Sequence, residues 1–299
     1  MRTLILNASN VVSGTQNSKY RYNFPKTAHF EEKDKTKLCV ASVNMYYSWF
    51  NISESNQNNY FQYKWLDTSG NLKSTPYTIT IKDGLYSLDE LNEFILTTMR
   101  TRGHYLIRNS DNTDIYFFEF LNNQNYYAVQ LNMLPIPSDS SNTYTKPASP
   151  TISGVNYAWA LPSSSKKYPQ IIIPSVNKFY KLIGFESTTY APSYLSDGEL
   201  KSYLSTYTPN MTPSSSIIMT CSLCKNEYSY PNNIVATFTQ SNAMAGETII
   251  YEPNNLLWND VQSGSYSSLE VQFLDQDLKQ LDIRDNQLII TILLKDIND

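Results

Sequence analysis

The chain has 299 residues, 41% of them hydrophobic and 17% charged, which gives enough length and apolar content for a sizeable core and excludes a disordered or fibrous class. Net charge is −4 with no block of Lys or Arg. The short clusters Lys33/Lys35/Lys37 and Lys166/Lys167 fall short of the basic stripe that nucleic-acid packing requires, and the first is interleaved with Glu31, Glu32 and Asp34.

Strand signals dominate: short runs of β-branched and aromatic residues bounded by Asn, Ser, Pro and Gly. In chain order the expected strands are Thr3–Leu6, Lys19–Phe24, Leu38–Tyr47, Tyr60–Trp65, Tyr77–Ile81, Ile115–Leu121, Tyr126–Met133 and Gln170–Ile173. A C-terminal set follows at Ser216–Leu223, Ile234–Phe238, Thr248–Tyr251, Ser268–Leu274 and Leu288–Leu294. One helix stands out between them. Ser87 caps it, Asp89 and Glu90 occupy its first turn, Leu88, Leu91, Ile95 and Met99 fall on one face, and Gly103 stops it after Arg100 and Arg102. A second helix is expected over Ser196–Tyr203. Pro135–Lys167, rich in Ser, Thr and Pro, reads as a long loop or insertion separating two β-rich halves. So many strands with so little helix predict an all-β, antiparallel sandwich or barrel.

Chemistry-bearing motifs are scarce. The two histidines, His29 and His104, read as ordinary surface or edge residues, and no metal-ligand spacing accompanies them. Cys39, Cys221 and Cys224 are too few for a disulfide framework or a four-cysteine zinc site. Cys221-Ser-Leu-Cys224 ends a strand rather than opening a helix, so it reads as small core residues and not as a redox pair. There is no Gly-x-Ser-x-Gly elbow and no phosphate loop, and only nine glycines are present. Asp275, Asp277, Asp282 and Asp285 invite a calcium reading but look more like turn residues bounding a strand. No catalytic, cofactor or metal residue is assigned, and no enzyme is expected. The N-terminus lacks the pattern of a signal peptide and no run approaches the ~20 apolar residues of a membrane span, so the glycosylation matches at Asn7, Asn51 and Asn210 are read as chance.

Five segments, in order, carry a resemblance. They are Val40–Ile52, ending in Asn51 and Ile52, with Asn58-Asn59-Tyr-Phe after it; Tyr77–Asn92, containing Gly84 and Tyr86; and Phe179–Phe185, containing Gly184 and Phe185. Ile218–Pro231 follows, with Asn226 and Pro231, and last comes Leu269–Gln276, with Asp275 and Gln276, together with Leu281-Asp282-Ile283 and Leu288–Leu294. Together they resemble the minor capsid (penton) proteins of virophages, adintoviruses and polinton-type elements, in the adenovirus-like lineage of double-stranded DNA viruses. The resemblance implies a viral jelly roll with one short helix after strand 77–81 and a location in the virion, after synthesis in the cytoplasm or nucleus of a host cell. Within that lineage, where major capsid proteins carry two jelly rolls and are usually much longer, the length of 299 residues favours the penton, a homopentamer that contacts capsomers of the major capsid protein; no cofactor is expected.

Two organisations stay open: one jelly-roll protein over 1–299 with an insertion around 135–167, or two jelly rolls at 1–134 and 165–299. The second would suit a compact major capsid protein forming trimers. A third reading is a carbohydrate- or receptor-binding sandwich in which Trp49, Trp65, Trp159 or Trp258 stacks on sugar rings, with a host receptor or glycan as partner.

Overall fold

The computed structural model describes residues 1–31, 35–138, 143–192, 199–212, 214–240, 243 and 246–297. In chain order the strands begin with β1 (Arg2–Leu6), β2 (Lys19–Phe30) and β3 (Lys37–Tyr46). Next come β4 (Tyr60–Lys64), β5 (Tyr77–Thr80), helix α1 (Leu88–Thr101), β6 (Leu106–Arg108), β7 (Asp114–Ile115), β8 (Phe118–Asn123) and β9 (Ala128–Met133). Short pieces follow: β10 (Tyr144–Thr145), β11 (Thr151–Ile152), β12 (Val155–Asn156), β13 (Gln170–Ile172), helix α2 (Phe179–Ile183), β14 (Thr189–Tyr190) and β15 (Lys201–Leu204). The chain closes with β16 (Ile217–Cys221), β17 (Cys224–Lys225), β18 (Ile234–Phe238), β19 (Thr248–Tyr251), β20 (Asn259–Val261), β21 (Gly264–Leu274) and β22 (Ile289–Lys295).

Two compact units result: residues 1–49 with 214–299, and residues 50–213. In the first unit, eight strands pair antiparallel in a nested order. Setting aside the short β17 and β20, the first strand pairs with the eighth (β1·β22), the second with the seventh (β2·β21), the third with the sixth (β3·β19) and the fourth with the fifth (β16·β18). Cross-links β22·β3 and β21·β16 gather them into two sheets, β1-β22-β3-β19 and β18-β16-β21-β2. That is the strand order of a jelly roll: one long antiparallel hairpin rolled up so that its two sheets enclose a core.

The C-terminal strands therefore do not build a second jelly roll. They complete the one begun by β1–β3: β22, β21 and β19 pair directly with β1, β2 and β3, and β16 and β18 join the second sheet through β21. Likewise the unit boundaries fall at 49/50 and 213/214, not around 135–167, and the second unit is inserted in sequence between the third and fourth strands of the roll.

Side-chain parity fixes the register. On β22, Ile290, Ile292 and Leu294 are buried, and they face Val43, Val40 and Leu38 on β3. The β3 set switches from even to odd numbers because the ladder skips Ala41, a bulge that keeps both halves of the strand facing the core. Strand β2 runs on to Phe30 beyond the expected end at Phe24. It is an edge strand, and its pairing with β21 is simply interrupted between Asn23 and Ala28, where Pro25 has no ladder bond to lose.

The second unit holds a four-stranded sheet, β14-β13-β4-β5, and three-stranded sheets β15-β9-β8 and β10-β6-β7, with α1 packed on β8. Its core is aromatic. Phe61 stacks on Phe179 at 5.2 Å and meets Phe118 and Phe120 edge-on. Helix α1 has the expected start: Ser87 accepts from the Glu90 amide at 3.2 Å and Glu90 returns a bond to the Ser87 amide at 2.8 Å. The expected helix at Ser196–Tyr203 is not one. Its first residues lie outside the described ones, as do Glu32, Lys33 and Asp34, and Lys201–Leu204 is a strand paired with β9. The stretch 135–167 belongs to this unit. Ile136 and Lys167 bridge its ends, and Trp159 is buried with its indole N–H donating to the Gly103 carbonyl at 2.7 Å.

Candidate functional site

The groups with chemical potential are occupied structurally. His104 is fully buried, stacked on Trp65 at 5.1 Å, with Tyr77 and Tyr157 against its edges. The Tyr63 hydroxyl lies 2.8 Å from His104 Nδ1 and 3.1 Å from an Arg102 N–H donor. Both contacts are satisfied when Tyr63 donates to a neutral imidazole and accepts from Arg102. Burial, reinforced by the Arg102 charge, lowers the His104 pKa to about 3. The expected surface or edge position of His104 is thus corrected: Tyr63 of β4, Trp65 just after it and Tyr77 of β5 close over it. His29 sits on β2, its Nδ1 2.7 Å from the Ser265 hydroxyl.

Cys39, Cys221 and Cys224 are free and buried. Burial raises the Cys221 thiol to about 11 and the Cys224 thiol to about 12, so neither presents a thiolate near neutrality. Among the described residues no group of three or more His, Cys, Asp or Glu side chains is placed to hold a metal. Asp275 accepts from the backbone of Asp277 and Lys279, and Asp285 from that of Tyr46 and Gln287, which is turn and strand-end chemistry.

The residues that carry the sequence resemblance fall into three places. Five form one knot where the chain enters the second unit. Asn51, fully buried, donates to the carbonyls of Tyr86 and Met211, both at 2.7 Å, and accepts from the Tyr86 amide at 2.9 Å. Ile52 and Gly84 exchange backbone bonds, and Asn58 clamps the turn by donating to the Asn51 carbonyl and accepting from the Ser53 amide. Asn51 thereby ties the entry of the unit to its exit at Met211. A Cβ on Gly84 would meet the Tyr86 ring at 2.7 Å, so any other residue there makes the ring shift. Asn59 stands next to the knot, its carbonyl taking the Ile81 amide.

Gly184 and Phe185 make the second place. Gly184 has φ +75°, its carbonyl takes the Tyr207 amide, and a Cβ there would run into the Tyr207 carbonyl. Phe185 is buried edge-on to Phe120 and Tyr190. The third place is on the jelly-roll unit. Asn226 and Pro231 shape the loop between β17 and β18, Asp275 makes the turn after β21, and Gln276 accepts from the Ser215 amide at 3.2 Å.

Two surface features of the jelly-roll unit were not legible beforehand. The first is a difference between its two outer faces. On β2 and β21, Lys19 and Arg21 converge on Glu270 at 2.6 and 2.8 Å, an ordinary solvated ladder. On the outer face of β1-β22-β3-β19, the paired positions from Leu293–Cys39 to Tyr46 carry no charged side chain, and Thr3, Thr291, Ser42, Asn44 and Thr248 stand among the apolar ones. Ile5, Ile289, Ile250 and Tyr46 are 56%, 45%, 63% and 40% exposed there. The second feature is a cleft of about 500 Å³ where β20 and β17 extend the sheet beyond Lys37, lined by Glu31, Thr36, Lys225–Tyr228 and Trp258–Val261. Of the four tryptophans, Trp49, Trp65 and Trp159 are buried and Trp258 alone is partly open. The expectation of surface stacking by the first three is therefore corrected.

No protein-family profile matches the chain, and neither does any curated protein. Among solved structures, the chain is similar to the crystal structure of the selenomethionine-labelled mavirus penton protein. Identity is 12%, coverage is 99% of this chain and 98% of that one, and the TM-score is 0.46.

Proposed function

We propose that this chain is a structural capsid subunit of an icosahedral double-stranded DNA virus, the penton at the fivefold vertices, located in the virion. Copies would join in a closed ring and contact neighbouring major capsid capsomers. The observation that carries the reading is the uncharged outer face of β1-β22-β3-β19 on a jelly roll whose opposite face is charged. An antiparallel sheet face left to water normally alternates to polar and charged residues. A sheet face of exposed Ile and Tyr mixed with uncharged polar residues resembles the charge-depleted centre of a protein interface. Such a face suits burial against a neighbouring subunit, and a ring follows where that contact joins it to a different surface of the next copy and the rotation closes. The ordered resemblance to penton proteins adds the family direction, and five of its residues meet in the Asn51 knot.

The reading predicts that Ile250→Lys combined with Ile289→Lys abolishes self-association in analytical ultracentrifugation while leaving the circular dichroism spectrum and thermal midpoint unchanged. Undiminished association of that variant would remove the sheet face from the interface.

A further inference from the structure

We infer that the cleft at the β17–β20 end of the jelly-roll unit is a binding site for a neutral saccharide. Its volume of about 500 Å³ holds one or two sugar rings and lies in the usual range for small-ligand sites. Its chemistry is wrong for an apolar ligand and right for hydroxyls. Asp260 pairs with Lys37 at 2.5 Å and Glu227 with Lys225 at 2.9 Å, yet the two carboxylate side chains remain 59% and 68% exposed. Each pair sets an acceptor beside a donor, which is what a pair of vicinal hydroxyls requires, since each hydroxyl both donates and accepts.

Aromatic surface supplies the other half of sugar recognition, a flat face for the C–H side of a pyranose. Trp258 borders the cleft; the Lys295 ammonium covers one face of its ring, 4.0 Å from the centroid, and a sugar meets the part of this half-buried ring that stays open. The Tyr228 ring is fully exposed, but its loop is pinned. The Tyr228 amide donates to Asn226 Oδ1 at 3.2 Å, the Asn226 amide to the Asn232 carbonyl at 2.7 Å, and the Ser229 hydroxyl to the Pro231 carbonyl at 2.8 Å. A side chain presented by a held loop costs little further ordering on binding. Charge narrows the class. Glu31, Glu227 and Asp260 on the lining are balanced by Lys35 and Lys225 and by Lys37 and Lys295 beside it, so no net positive field selects sialylated, sulfated or phosphorylated glycans.

The test is a glycan array of neutral oligosaccharides and their sialylated counterparts probed with the full chain. Hits are then titrated by saturation-transfer NMR and Trp fluorescence against wild type, Tyr228→Ala, Trp258→Ala and Asp260→Asn. The expected result is saturable binding to a neutral glycan, lost on sialylation and weakened about tenfold by each of the first two substitutions. Tyr228→Ala removes only exposed atoms, so it tests the site even if Trp258→Ala unfolds. Absence of binding to any neutral glycan, preference for sialylated forms, or wild-type affinity in Tyr228→Ala would each overturn the assignment.

Discussion

The two units of this chain reach order by different routes. The jelly-roll unit is held by strand pairs between distant parts of the chain, such as Leu6 with Ile290, over a largely aliphatic core set by alternation. The inserted unit has shorter strands and leans on a few large or polar residues: the Phe61 ring cluster, the His104 cage and the Asn51 knot. A core spread over many alternating aliphatic positions distributes its stability, whereas one built around hubs concentrates it. Single substitutions should therefore act more sharply in the inserted unit.

The largest effect is expected at Phe61. Phe61→Ala should cost about 3–5 kcal/mol, because the ring is fully buried against three others. Hydrogen exchange should show protection lost in β4, β8 and β9 while β3 and β22 keep theirs. An equal loss in both units would break the comparison. Next comes Asn51→Ala, which strands the Tyr86 amide and the carbonyls of Tyr86 and Met211. We expect a loss of about 2–4 kcal/mol by denaturant titration, with Asn51→Asp failing to restore it because a carboxylate cannot donate.

Acid provides a third handle. The His104 pKa is lowered to about 3 from the ordinary 6.5, so the unfolded chain takes up a proton that the folded chain refuses. Its effect is nil above pH 6.5. Stability then falls by roughly 1.4 kcal/mol per pH unit toward pH 3, or about 2 kcal/mol at pH 5. Thermal midpoints measured from pH 7 to 4 should fall more steeply for wild type than for His104→Phe; parallel curves would mean that the ring is not held neutral. The smallest effect belongs to the solvated ladder, where Glu270→Gln should change stability by less than about 1 kcal/mol.

The same contrast explains what sequence reading could reach. Strands of the jelly roll announce themselves by parity, and even the bulge at Ala41 is foreshadowed by apolar positions shifting from Leu38 and Val40 to Val43 and Met45. The α1 start was legible because the Ser87–Glu90 pair is a local signal. Helix α2 was not, since five residues give too little period to see. Lys201–Leu204 misled for a related reason: its helix-compatible composition yields to pairing with β9, with Lys201 and Tyr203 turned inward on alternate positions. Asn51, Gly84 and Tyr86 could be singled out by resemblance. Their convergence, with Met211 as a fourth partner 160 positions from Asn51, depends on tertiary contacts that no local window contains. Of the surface features, the uncharged sheet face becomes visible only once register assigns Ile5, Ile289 and Ile250 to the same side.

The capsid reading stands or falls on self-association, so the most direct measurement is the molar mass of the purified chain by light scattering across a concentration series. The account predicts a closed ring near five times the 34.3 kDa of one chain. A monodisperse monomer at every concentration would contradict it.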